Sequence, residues 1–113
     1  MKTAILRGER YFGVEITPEG RLVVAERAQG RPVRTGEFDG AQALREHIRR
    51  ESAHPHVCIK ACGAAGLSLA AALMPTPGIE VTLVSPKAVV GTPDSMQPVE
   101  RAQQLARLAE RLF

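Results

Sequence analysis

Eleven consecutive residues, His56-Val57-Cys58-Ile59-Lys60-Ala61-Cys62-Gly63-Ala64-Ala65-Gly66, constrain this chain more than any others. A β-rich apolar run that breaks at glycine and passes into an alanine-rich stretch reads as strand, turn and helix. That unit belongs to a parallel pairing, which needs helices packed on the sheet. In open α/β sheets, ligands bind beyond the carboxyl ends of such strands. Lys60 occupies that end.

The remaining chain supplies partners for this unit. Tyr11 to Thr17, Arg21 to Ala28 and Val33 to Phe38 are three β-rich runs. Pro18-Glu19-Gly20 separates the first two, and the two-residue hairpin signal Gln29-Gly30 separates the second from the third. Asp39, with Gln42 three residues on, predicts a capping box opening a helix whose apolar face is Ala41, Leu44 and Ile48. The helix from Gly66 to Met74 is apolar almost all round, so burial on more than one side is expected. Ile79 to Val84 alternates as a last strand, Lys87 to Gln97 reads as a loop, and Pro98 to Phe113 as an amphipathic helix. The order is β-β-β-α-β-α-β-α: a mixed five-stranded sheet of three antiparallel strands and two parallel additions, flanked by three helices. At 113 residues this is one domain spanning 1–113, with residues 1–9 a loose arm.

Composition removes several classes. Apolar residues at 44% and charged residues at 24% argue against disorder. The longest apolar run, Leu67 to Met74 interrupted by Ser68, falls well short of the roughly 20 residues that span a bilayer. The first residues carry no signal-peptide pattern, so a cytoplasmic location is the expectation. Cys58 and Cys62 would stand about 13 Å apart along an extended strand, out of disulfide reach, and read as reduced core residues. A net charge of +3 suits a nucleic-acid partner without demanding one, and aromatics at 4% argue against a base-stacking platform.

Glu15 is a lone acid in an apolar strand, and adjacent strands should bring it to Lys60 as an ion pair, because a buried unpaired charge costs several kcal/mol. Arg45, Arg49 and Arg50 on one helix, with Arg101, Arg107 and Arg111 on the last, are candidates to track a phosphate backbone; a solvated helix face is the plainer alternative. His47, His54 and His56 are a weak zinc pattern, since neither cysteine joins them, and no metal site is assigned. Gly63 and Gly66 fit neither common phosphate-loop spacing. The Leu105, Leu108, Leu112, Phe113 stripe reads as core, with room for a dimer seam.

From Tyr11 to Leu108 the chain resembles the N-terminal, RuvC-like domain of the DEDD insertion-sequence transposases and pilin-gene invertases, whose fold is ribonuclease H-like. Tyr11-Phe12-Gly13-Val14-Glu15-Ile16-Thr17 matches that family's first strand, with Glu15 at its Asp. Lys60-Ala61-Cys62-Gly63 matches its Glu-x-(Thr/Cys)-Gly motif, with Lys60 replacing the Glu. Val84-Ser85-Pro86 matches its (Val/Asn)-(Asn/Ser)-Pro signature. Met96 to Ala106 falls on its final double-Asp motif, with Pro98 and Arg101 at the two acids. The resemblance implies a ribonuclease H-like fold whose catalytic positions Glu15, Lys60, Pro98 and Arg101 are vestigial. A two-metal centre requires several converging carboxylates, and these four residues supply one.

The expected function is therefore a catalytically inactive, transposase-like module that associates with DNA or with another protein, with no cofactor. Lys60, Arg45, Arg49 and Arg101 are the nucleic-acid-binding candidates. One alternative is a Mg²⁺-dependent nuclease or recombinase using Glu15, Asp94 and Glu100. Another is an interaction module without nucleic acid that homodimerises through its last helix or a sheet edge. No membrane partner is expected.

Overall fold

A computed structural model describes residues 9–60, 63–84 and 97–112. Eight elements follow in order: β1 (Glu9–Ile16), β2 (Leu22–Ala28), β3 (Arg31–Phe38), α1 (Ala41–Glu51), β4 (His54–Lys60), α2 (Gly63–Leu73), β5 (Glu80–Val84) and α3 (Pro98–Leu112). The chain is an α/β domain around one mixed sheet, strand order β3-β2-β1-β4-β5. β1–β2 and β2–β3 pair antiparallel, while β1–β4 and β4–β5 pair parallel. Gln29 and Gly30 both take positive φ, 54° and 76°, the pairing that lets a two-residue hairpin follow the right-handed twist of its strands.

Alternation along the strands gives the sheet two apolar faces. Phe12 and Val14, Leu22 and Val24, and Val57 and Ile59 pack against Leu44 and Ile48 of α1 and Leu69, Ala70 and Leu73 of α2. On the opposite face Tyr11, Cys58 and Val84 meet Leu105 and Ala109 of α3, and Val23 and Ala25 meet Ala102 and Ala106. The small residues on α3 let it lie close on the sheet, and Gly13 completes that fit. A Cβ added to Gly13 would sit 2.1 Å from the Ala102 carbonyl oxygen and 2.3 Å from the Ala106 nitrogen. No helix among the described residues is long and apolar enough to cross a membrane.

Three expectations change. The α1 cap is Gly40 without a side-chain cap hydrogen bond, because the helix starts at Ala41 and leaves Asp39 one residue outside the cap position; Asp39 accepts from Arg21 Nη1 at 2.8 Å. α2 begins at Gly63 and buries one side, Gly66, Leu69, Ala70 and Leu73, leaving Leu67 57% and Met74 60% exposed. α2 lies over β4 and the edge strand β5, and no described element packs on its far side. Glu9, expected in the loose arm, is already in β1; the rest of that arm, residues 1–8, lies outside the described residues, as do Cys62 and most of the 87–97 loop.

Candidate anion-facing site at the strand ends

Parallel pairing of β1 with β4 sets Val14 opposite Ile59, so the next residue on each strand, Glu15 and Lys60, comes to the same end of the sheet on the α3 face. Lys60 Nζ lies 3.9 Å from Glu15 Oε1, the ion pair expected from the sequence. α3 adds a third member. Pro98 occupies its first position, where a missing N–H costs nothing, and Arg101, one turn further on, brings Nη1 to 3.7 Å from Glu15 Oε2. Of the four positions at which the resemblance places acids, Glu15, Lys60 and Arg101 therefore converge, and Pro98 starts the helix that delivers Arg101.

Both contacts are longer than hydrogen bonds. Glu15 is 8% exposed, and its Oε1 has no hydrogen-bond partner among the described residues. The Lys60 and Arg101 side chains remain 25% and 24% exposed, so both cations have access to solvent while the carboxylate does not. Within the trio, two cations stand about one carboxylate.

This donor set does not fit a divalent cation. Mg²⁺ is held by carboxylates and water in octahedral geometry, whereas here one carboxylate oxygen pair is already flanked by two cations that repel any further positive charge. Glu100 is exposed and its Oε1 accepts from the Gln97 backbone N–H at 2.8 Å, capping α3. Asp94 lies outside the described residues. Among the described residues no group of three His, Cys, Asp or Glu side chains is placed to hold a metal ion.

The other basic candidates divide between the two faces. Arg45, Arg49 and Arg50 lie on α1, across the sheet from α3, and Arg45 Nη1 donates to the Ala72 carbonyl at 3.3 Å. Arg107 and Arg111 are exposed on α3, on the same helix as Arg101. Of the three histidines, His54 and His56 stay together on β4, lining one pocket with Glu9 and Glu80, and His47 stands apart from them. His47 on α1 packs beside Phe12 and Phe38, whereas His56 stacks on Tyr11 at 5.4 Å and faces Glu80, Nδ1 to Oε1 2.6 Å.

Sequence reading passed over Glu26. It lies on the α1 and α2 side of β2, in step with Leu22 and Val24, and its side chain is 1% exposed. Arg10 Nη1 bonds its Oε2, while His47 Nε2 at 3.2 Å and Arg34 Nε at 3.5 Å reach Oε1. Glu51 joins through Arg34 at 3.0 Å. The signal was the one used for Glu15: a lone acid in phase with core residues of a strand. Cys58, fully buried, has its thiol pushed up to about 11 by desolvation and is held as a neutral core side chain.

The strand ends of this α/β domain thus gather two cations, Lys60 and Arg101, about one buried acid, Glu15. Against known proteins, no family model matches the chain, and no curated protein matches it.

Proposed function

We infer that the chain is a catalytically inactive, ribonuclease H-like domain of the DEDD transposase type that contacts the phosphate backbone of DNA at the ends of β1 and β4. Lys60 and Arg101 make the contact, and Glu15 holds them in place. The observation that carries this reading is the convergence of those three residues, because two cations stand about the one carboxylate where an active relative would hold Mg²⁺. The element order and the strand order β3-β2-β1-β4-β5 support the ribonuclease H-like assignment. Arg107 and Arg111, exposed along the same helix, extend the basic track. Arg45 and Arg49, on the opposite face, would serve a separate contact.

Duplex DNA binding followed by fluorescence anisotropy between about 50 and 200 mM salt tests this directly, since counterion release makes log K fall linearly with log salt. Lys60→Gln and Arg101→Gln should each weaken binding across all sequences and lower the salt slope by about one. Binding that ignores salt, or variants that bind like the wild type, would overturn the reading. A melting curve on each variant shows that it is folded.

A further inference from the structure

α2 presents a surface that neither the sheet nor α1 uses. From Ala61 to Ile79 the sequence contains no Asp, Glu, Lys, Arg or His, and the outward residues Ala64, Leu67 and Ala71 of α2 are all exposed, as is Met74 just past its end, whose N–H still bonds the Ala70 carbonyl at 2.9 Å. They recur at helical spacing and so form one stripe. Of the six exposed large apolar side chains among the described residues, Leu67 and Met74 are the two most exposed. Leu83, 40% exposed, lies on the same face of the sheet, in register with Ile59. Contiguous apolar exposure of this kind marks an interaction surface.

We propose that α2 is the seam of a symmetric homodimer in which it packs antiparallel against α2 of a second copy. The order of side-chain sizes along the stripe selects that occupant. It reads small, large, small, large: Ala64, Leu67, Ala71, Met74. Reversal against itself places Leu67 over the partner's Ala71 and Met74 over the partner's Ala64, each contact made twice about the two-fold axis. Every large residue then fills the space above a small one, as interdigitating helices require. A parallel arrangement would set Leu67 on the partner's Leu67 and Met74 on the partner's Met74. The missing charge along the stripe disfavours phosphate or an anionic membrane as the occupant.

Size sets the strength. Eleven helical residues give a stripe about 16 Å long, and two such stripes with their flanks bury on the order of 1,000 Å² in total, the low end for a specific interface. The rim turns polar at α1, where Arg45 donates to Ala72. The dimer is therefore a micromolar one, and it is independent of the site at the strand ends.

Sedimentation velocity over a concentration series tests the seam. The wild type should pass from monomer to dimer in the micromolar range. Leu67→Asp should weaken association at least about a hundredfold, because the change acts twice, with its circular dichroism and melting near wild type, as Leu67 is exposed. Leu67→Ala and Ala71→Leu should each weaken the dimer. The double variant restores a large residue over a small one and should recover it; both residues are strong helix formers, so the fold is safe. A wild type that stays monomeric, a Leu67→Asp protein that still dimerises, or a double variant no better than the singles would overturn the proposal.

Discussion

Gly13 is the point at which helix and sheet touch most closely, and Gly13→Ala is the sharpest test of how α3 is seated. The added methyl would meet Ala102 O at 2.1 Å, Ala106 N at 2.3 Å and Leu105 Cβ at 2.7 Å. The two nearest atoms are backbone and cannot rotate away. Bringing the shortest contact out to ordinary van der Waals range needs the helix to rise by about 1.3 Å. Leu105, Ala106 and Ala109 would rise with it, opening the packing against Tyr11, Val23 and Cys58. Overpacking of a core usually costs about 1–3 kcal/mol, and with backbone on both sides the expected cost is about 3 kcal/mol. For a domain of this size that lowers the melting temperature by roughly 10 °C. Urea denaturation measures it, with Gly36→Ala as the control. A methyl at Gly36 would find its nearest neighbour, Phe38 Cε1, at 3.9 Å, so that variant should stay within about 0.5 kcal/mol of wild type. A Gly13→Ala protein less than about 1 kcal/mol below wild type would refute the close seating of α3, and with it the delivery of Arg101 to Glu15.

Other outcomes follow from the same packing. Glu26→Ala removes the one anion that Arg10, Arg34 and His47 share, and should cost about 3 kcal/mol in urea denaturation; a loss under about 1 kcal/mol would show that the cluster is solvated. Cys58 keeps its proton in the folded state up to about pH 11, whereas the unfolded chain gives it up near its ordinary value. The folded state thus binds more protons between those limits, and stability should fall as pH rises from about 9 towards 11 and be unaffected by this group below. Tyr11, also raised, chiefly by desolvation, acts in the same direction at higher pH. Urea midpoints at pH about 8 and about 10.5 measure the fall, and Cys58→Ala should make it shallower; an identical fall in that variant would assign the effect elsewhere. Native Cys58 should resist alkylation until the protein unfolds, since it is both buried and protonated.

Much of the architecture could be read from short-range signals. Gln29-Gly30 specifies a turn through backbone sterics alone, and the alternation in β1, β2 and β4 names the buried side chains whatever their partners are. The Glu15–Lys60 pair was legible because one strand register fixes both residues. What escaped depended on tertiary context. Asp39 is a good cap by local rules, but α1 starts one residue later and Asp39 pairs with Arg21, just before β2. Glu26 has partners on β1, β3 and α1, spread from Arg10 to His47, which no local pattern links. An apolar helix such as α2 reads as buried on more than one side, yet over the sheet edge it buries one, and sequence periodicity does not say where in a sheet a helix will lie. Arg101 was placed by resemblance; its approach to Glu15 depends on how closely α3 sits on Gly13.

The most direct test of the inverted site is thermal melting during Mg²⁺ and Mn²⁺ titration, on the wild type and on Lys60→Glu. A metal that binds only the folded state raises the melting temperature once its concentration passes the dissociation constant. With two cations beside Glu15, the wild type should show no rise at low millimolar metal. In Lys60→Glu the trio becomes two carboxylates and one arginine, and a rise in that variant would place a metal position between β1 and β4, as the proposed relation to the transposases requires. A wild type that gains stability at low millimolar Mg²⁺ would contradict the inactive, anion-facing site.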